Sequence, residues 1–165
     1  MTTFVDLTDD DVIQPGETFI YNHNTSGSLT LTLSGQVKAF EKSTTFTLES
    51  KQGQFIAYPW PVEIKISDLA NLATWTGLKD GGSWAGCDQI VRWDSVAGKW
   101  AKYAYYKKAR TSDTPMWKRC DYETSLTTFV DLTDDDKLGA GEGFIYNHNT
   151  SGTLSIEFKP LEAAK

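Results

Sequence analysis

The chain has 165 residues with 16 basic and 22 acidic side chains, a formal charge of −6. This balance argues against a duplex nucleic-acid binder, whose phosphate contacts need a basic surface. No apolar run approaches the roughly 18 residues that span a bilayer, and MTTFVDLTDD has neither the basic region nor the apolar stretch of a secretory signal, so membrane insertion is not expected.

The dominant feature is a duplication. Residues 2–33 return without a gap as residues 127–158, and 22 of the 32 aligned positions are identical. Within each copy, Thr3 to Leu7 (Thr128 to Leu132) reads as a short strand, and an acidic turn follows. Val12 becomes Lys137 there, so that position faces water. Phe19-Ile20-Tyr21 (Phe144-Ile145-Tyr146) reads as a second strand. Ser28 to Leu33 (Thr153 to Phe158) alternates polar and apolar residues, and every difference between copies respects the alternation. This is the pattern of a strand with one face on a core and one in water. The linker Asn-His-Asn-Thr-Ser-Gly is rich in turn formers, which predicts a hairpin between these two strands.

The central segment, residues 34–126, continues with strands at Val37 to Phe40, Thr44 to Leu48 and Gly53 to Tyr58. Tyr58-Pro59-Trp60-Pro61 must be extended, because each proline drives its predecessor out of the α region. Val62 to Ile66 reads as a strand. Ser67 to Leu72, with Ser67 as N-cap, suits one or two helical turns. Leu78 to Ala85 reads as a loop, and Asp88 to Trp93 and Lys99 to Tyr106 are strands joined through Asp94 to Gly98. On the second of these, Tyr103 and Tyr105 share a face. The length suits a single domain over residues 1–165. An aromatic content of 13% fits a β protein. The expected fold class is all-β: an antiparallel sandwich or barrel with pseudo-symmetric duplicated hairpins and at most one short helix.

Candidate chemistry follows from residue types. His23 and His148 occupy matching loop positions, but a metal site needs three or four ligands, so a loop imidazole bonded to nearby backbone is the expectation. Asp9 and Asp11, with Asp134 and Asp136, offer clustered oxygens for calcium; the ligand spacing and glycine of an EF-type loop are missing, and a turn capped by Asp or Thr explains the same letters. No cofactor is expected. The Asn24 and Asn149 triplets match a glycosylation sequon and place both loops in water. Cys87 and Cys120 are compatible with a disulfide or with two buried thiols. Lys99, Lys102, Lys107, Lys108, Arg110, Lys118 and Arg119 form a basic stretch that reads as a solvated face with the option of a local anion site. There is no GxSxG motif and no phosphate-binding glycine loop, which points away from an enzyme; a carboxylate pair for glycoside cleavage is the remaining catalytic option. Trp60, between two prolines, and Trp84, in a glycine-rich loop, are the indoles least suited to a core. With Tyr103 or Tyr105 they make a candidate sugar-binding face. Trp93 and Trp100, in strands, read as core.

Tyr58-Pro59, Asp68-Leu69, Gly86-Cys87-Asp88-Gln89-Ile90, Trp93-Asp94, Trp100, Tyr103, Tyr105, Trp117 and Gly141-Glu142-Gly143-Phe144 together resemble landmarks of uncharacterised β-rich repeat domains in bacterial secreted and surface proteins. The resemblance spans roughly residues 55–158 and brings no catalytic residue with it. It implies an extracellular or cell-surface setting, and a virion is the other setting expected. The functional expectation is a non-catalytic structural or assembly module of a bacterial surface or phage particle, partnered by itself or by other surface or particle proteins. A carbohydrate-binding module is the second expectation, with glycans as ligands.

Overall fold

The computed structural model describes residues 26, 43–49, 53–108, 114–120 and 128–160. The strands expected at Thr3 to Leu7, Phe19 to Tyr21, Ser28 to Leu33 and Val37 to Phe40 lie outside them, as do Asp9, Asp11, His23 and Arg110.

The fold is all-β. Two main sheets enclose one core, and every pairing between named strands is antiparallel. The smaller sheet places β11 (Leu154–Phe158) between β1 (Thr44–Leu48) and β4 (Ala73–Thr76). The larger begins with β2 (Gly53–Ala57), β10 (Gly143–Asn147) and β5 (Gln89–Asp94), and continues through β6 (Lys99–Tyr106), β7 (Met116–Cys120) and β8 (Phe129–Val130). A two-residue ladder joins β3 (Ile64–Lys65) to β9 (Lys137–Leu138).

The alternation read in the sequence sets the core. Leu154, Ile156 and Phe158 point inward from β11, and Phe144 and Tyr146 point inward from β10; all are buried. Trp75 of the smaller sheet packs on Trp117 and Tyr146 of the larger, and Phe158 meets Tyr58 edge-on. Burying a side chain of this size is worth roughly 1.5–3 kcal/mol, so these strands hold the two layers together.

The expected hairpin is corrected. Its two strands are present, but they do not pair with each other. β10 lies between β2 and β5, β11 lies between β1 and β4, and the linker carries the chain from one sheet to the other. The turn-forming letters set the bend, while pairing was decided by what each strand could bury. Gly152, at φ +114, takes the left-handed conformation the bend requires. Each sheet therefore receives one interior strand from the second copy.

Smaller differences have local causes. The helix is a 3-10 turn over Ile66–Asp68 followed by α1 (Leu69–Leu72), and no side chain caps either piece. Ser67, the expected cap, bonds Asp68 instead. Leu69 is buried, and the Trp75 indole N–H donates to its carbonyl, so tertiary contacts hold this single turn. Strand β4 was not foreseen. The expected acidic turn is present, closed by the Asp136 amide on the Thr133 carbonyl, and the short strand β9 follows it because the backbone after Asp136 pairs with β3. Among the described residues no helix is long and apolar enough to cross a membrane.

Candidate functional site

Two polar centres stand out, and each draws side chains from the second copy of the repeat. The first is buried. At the start of β5, Cys87, Asp88 and Gln89 are all buried. The Asp88 carboxylate accepts from the Tyr146 hydroxyl at 3.0 Å, His148 Nδ1 at 3.0 Å, the Asn149 amide at 2.9 Å and the Lys79 amide at 3.0 Å. Asn149 Nδ2 donates to the Cys87 carbonyl at 2.6 Å, and Asn147 Nδ2 donates to Gln89 at 3.2 Å. Gln89 in turn holds the Trp84 carbonyl. One tripeptide thus grips the linker where it leaves β10.

This geometry corrects the view that the linker stands wholly in water. His148 is 1% exposed and serves as a strut between two strands, not as a loop residue bonded to neighbouring backbone. An Asp–His pair can orient an imidazole for proton transfer, but the reacting nitrogen must then reach a substrate. His148 Nε2 is buried without a hydrogen-bond partner among the described residues, and Asp88 and His148 line neither of the cavities described below. Burial first, and then the Asp88 charge, push the Tyr146 phenol well above its usual range.

The second centre is an open cleft of about 550 Å³. Arg92, Tyr103, Arg119 and Asp136 form its interior and Trp100 its rim. Arg92 Nε donates to the Tyr103 hydroxyl at 3.2 Å, which donates to Asp136 at 3.1 Å. Asp136 also receives Arg119 at 3.3 Å, the Thr133 amide at 2.7 Å and the Thr133 hydroxyl at 3.1 Å. Glu142 stands 3.6 Å from Arg92. Alternating cations and carboxylates leave the cleft close to neutral, rich in both donors and acceptors.

Asp134 and Asp136, read as calcium candidates, do not converge. Asp134 is exposed and pairs with Lys65 at 2.7 Å, while Asp136 is 3% exposed and committed inward. Among the described residues no group of three or more His, Cys, Asp or Glu could hold a metal ion. The turn-capping alternative describes Asp136, which bonds back to Thr133.

The proposed sugar face is not assembled as expected. Trp60 is 1% exposed, because the flanking prolines hold the chain extended along the core and so press the indole into it. Trp84 is half-buried in a 3-10 turn, Trp84–Gly86. Tyr103 is fully buried and floors the large cleft. Tyr105 packs on Trp117 and lines a separate hollow with Trp75 and Pro115. The exposed indoles are instead Trp93 and Trp100, at 49% and 43%, the pair expected in the core. They face each other across β5 and β6 with ring centroids 5.3 Å apart, next to the turn and beyond the reach of the core. Reading the register back from the Asp94–Gly98 turn would have paired them.

The basic stretch is dispersed. Lys107 pairs with Asp80, Lys118 with Asp131 and Arg119 with Asp136, while Lys99 and Lys102 line the cleft.

Cys87 and Cys120 are buried and not joined by a disulfide. Burial foremost, with Asp88 adding, pushes the Cys87 thiol from 9.0 to about 12, so it is protonated and inert at neutral pH. Two thiols per chain are expected to titrate in denaturant without reductant, with Cys87 protected in native buffer. Titration only after reduction would contradict this.

Tyr58 and Tyr103 are likewise raised from 10.0 to about 12, by burial first. A raised folded value means the native state keeps its proton longer than the unfolded chain. The stability tied to these groups is whole below pH 9 for Cys87 and pH 10 for the tyrosines, and is lost as pH rises towards 12. Thermal midpoints should hold steady up to pH 9 and fall between pH 10 and 12; a flat profile to pH 12 would contradict the burial of these groups.

Comparison of the chain with protein-family models, with curated proteins and with solved structures yields no match.

Proposed function

We propose that the chain is a non-catalytic structural module that assembles through its β framework, in the setting of a bacterial surface or phage particle. The observation that carries this reading is the role of the repeated segment: the second copy supplies an interior strand to each main sheet, and its Tyr146, His148 and Asn149 are spent on joining those strands to Asp88. A segment duplicated for catalysis would keep its reactive atoms accessible; this one keeps its packing. The surface setting rests on the resemblance of the aromatic and glycine landmarks. Light scattering across a concentration series tests the reading. Species heavier than the 18.4 kDa chain are expected, and a single species of one-chain mass at every concentration would overturn it.

A second reading is favoured by one observation, the exposed Trp93–Trp100 pair, of which Trp100 lines a cleft with Arg92, Lys102, Arg119 and Asp94. Sugar C–H faces stack on indole, and mixed donors and acceptors suit hydroxyls. Carbohydrate binding therefore moves from Trp60 and Trp84 to Trp100. Quenching of Trp fluorescence by a glycan panel, lost in Trp100→Ala, is the expected sign; a flat response across the panel would remove the reading.

A further inference from the structure

We infer that the cleft lined by β5, β6, β7 and the Asp135–Asp136 turn seats the carboxylate of a sugar acid on the guanidiniums of Arg92 and Arg119. The inference rests on the carbohydrate reading above and narrows it from glycans in general to acidic ones.

Strand register puts the two arginines on one wall. Arg92 lies two residues beyond Ile90, which pairs with Tyr103, and Tyr103 pairs in turn with Arg119. Cross-strand partners share a face and side chains alternate along a strand. Arg92, Tyr103 and Arg119 therefore project from one face of the larger sheet, the face that carries Ile90 and Trp117 into the core. Past the core the same face opens into the cleft. The arginines stand on the strands either side of β6, their backbones two strand spacings apart, roughly 10 Å. Two long side chains so placed can both reach a small anion lying beside the Tyr103 hydroxyl.

Both guanidiniums keep donors unspent. Arginine carries five N–H donors in a planar fork that matches a carboxylate. Among the described residues, Arg92 donates only from Nε, to Tyr103, although its side chain is just 13% exposed. The Glu142 carboxylate stands 3.6 Å from Arg92 Nη1, beyond hydrogen-bond reach, and its other oxygen is held by the Gly139 amide at 2.6 Å. Terminal nitrogens left unbonded on so enclosed a charge cost stability, and a carboxylate in the cleft supplies the missing acceptors. Arg119 donates only from Nη1, to Asp136, which leaves Nε and Nη2. The acidic side chains of the lining are already answered: Asp136 accepts from Tyr103, Arg119 and Thr133, and Asp94 accepts from the Val96 and Ala97 amides at 3.0 and 2.9 Å. Asp135 is exposed, where water and salt screen it. A cleft of about 550 Å³ exceeds what a lone carboxylate fills and falls within the range of small-ligand sites. Room remains for a ring, and Asp94 and Asp135 offer acceptor oxygens to its hydroxyls.

Titration of the nitrogen-labelled chain with D-glucuronate, D-glucose and acetate, followed by NMR, tests the inference. Glucuronate should shift the side-chain Nε–H signals of Arg92 and Arg119, bind about tenfold or more tighter than glucose, as one charged hydrogen bond allows, and bind tighter than acetate. Equal affinity for glucuronate and glucose would overturn the inference while leaving the carbohydrate reading in place. Equal affinity for glucuronate and acetate would overturn it by showing that the ring adds nothing. No shift at either arginine with any of the three would overturn it whatever the Trp fluorescence of the glycan panel shows. Arg92→Gln and Arg119→Gln should each weaken glucuronate binding by about tenfold, and Lys118→Gln, which removes a cation paired with Asp131 outside the cleft, should not. Unchanged affinity in both arginine variants, or an equal loss in Lys118→Gln, would contradict the assignment. Near-UV circular dichroism checks that each variant folds, and where one does not, the wild-type titrations decide.

Discussion

Asp88→Ala should destabilise the fold by about 3–5 kcal/mol, because two buried donors lose their acceptor at roughly 1–3 kcal/mol each and two backbone amides lose theirs as well. The carboxylate is fully buried and receives four donors, two of them, the Tyr146 hydroxyl and the His148 imidazole, being themselves buried side chains. Removing it strands those donors without water, and an unmade buried hydrogen bond costs more than a made one contributes. Domains hold only about 5–15 kcal/mol in total, so a large part of the stability depends on one side chain. Asp88→Asn keeps one acceptor oxygen and should fall between wild type and Asp88→Ala. Urea midpoints would show the order. A loss below about 1 kcal/mol, ordinary for surface changes, would mean that the linker is not anchored at Asp88.

Phe158→Ala should cost a similar amount, about 3–5 kcal/mol as for other buried aromatic truncations. The ring is fully buried at the end of β11 and meets Phe46 and Tyr58 edge-on, with centroids 5.9 Å and 5.7 Å away. Phe158→Leu, which installs the residue of the first copy, keeps most of the apolar volume and should cost about 1–2 kcal/mol, since the cavity left behind is smaller. Glu157→Thr, another exchange between the copies, lies on the outward face and should stay within about 0.5 kcal/mol. If Phe158→Leu were as damaging as Phe158→Ala, apolar volume would not be what Phe158 supplies to the core.

Much of the fold was legible where two signals agreed. Thr44 to Leu48 matches β1 in full, and the alternation of the second copy named the inward residues of β11 because paired differences revealed which positions face the core. The partner of each strand was not legible. A turn-rich linker looks the same whether it reverses the chain within one sheet or carries it across to another, and only the facing side chains decide. β4 was hidden in ATWT, too short for a periodic signal and placed by its ladder to β11. The Asp88 anchor lies 60 residues from His148 and has no local spacing to reveal it. Trp60 and Trp93 were misplaced for opposite reasons: prolines suggest exposure unless they steer a side chain inward, and strand position suggests burial unless the strand outruns its core.

The central claim is that the second copy of the repeat is divided between two sheets. Backbone NOEs in the isotope-labelled chain test it most directly. The expected pattern joins Ser155 to both Thr47 and Thr76, and Tyr146 to both Ile90 and Gln54. A ladder of NOEs running directly between residues 144–147 and 154–157 would make the segment a hairpin within one sheet and contradict the claim.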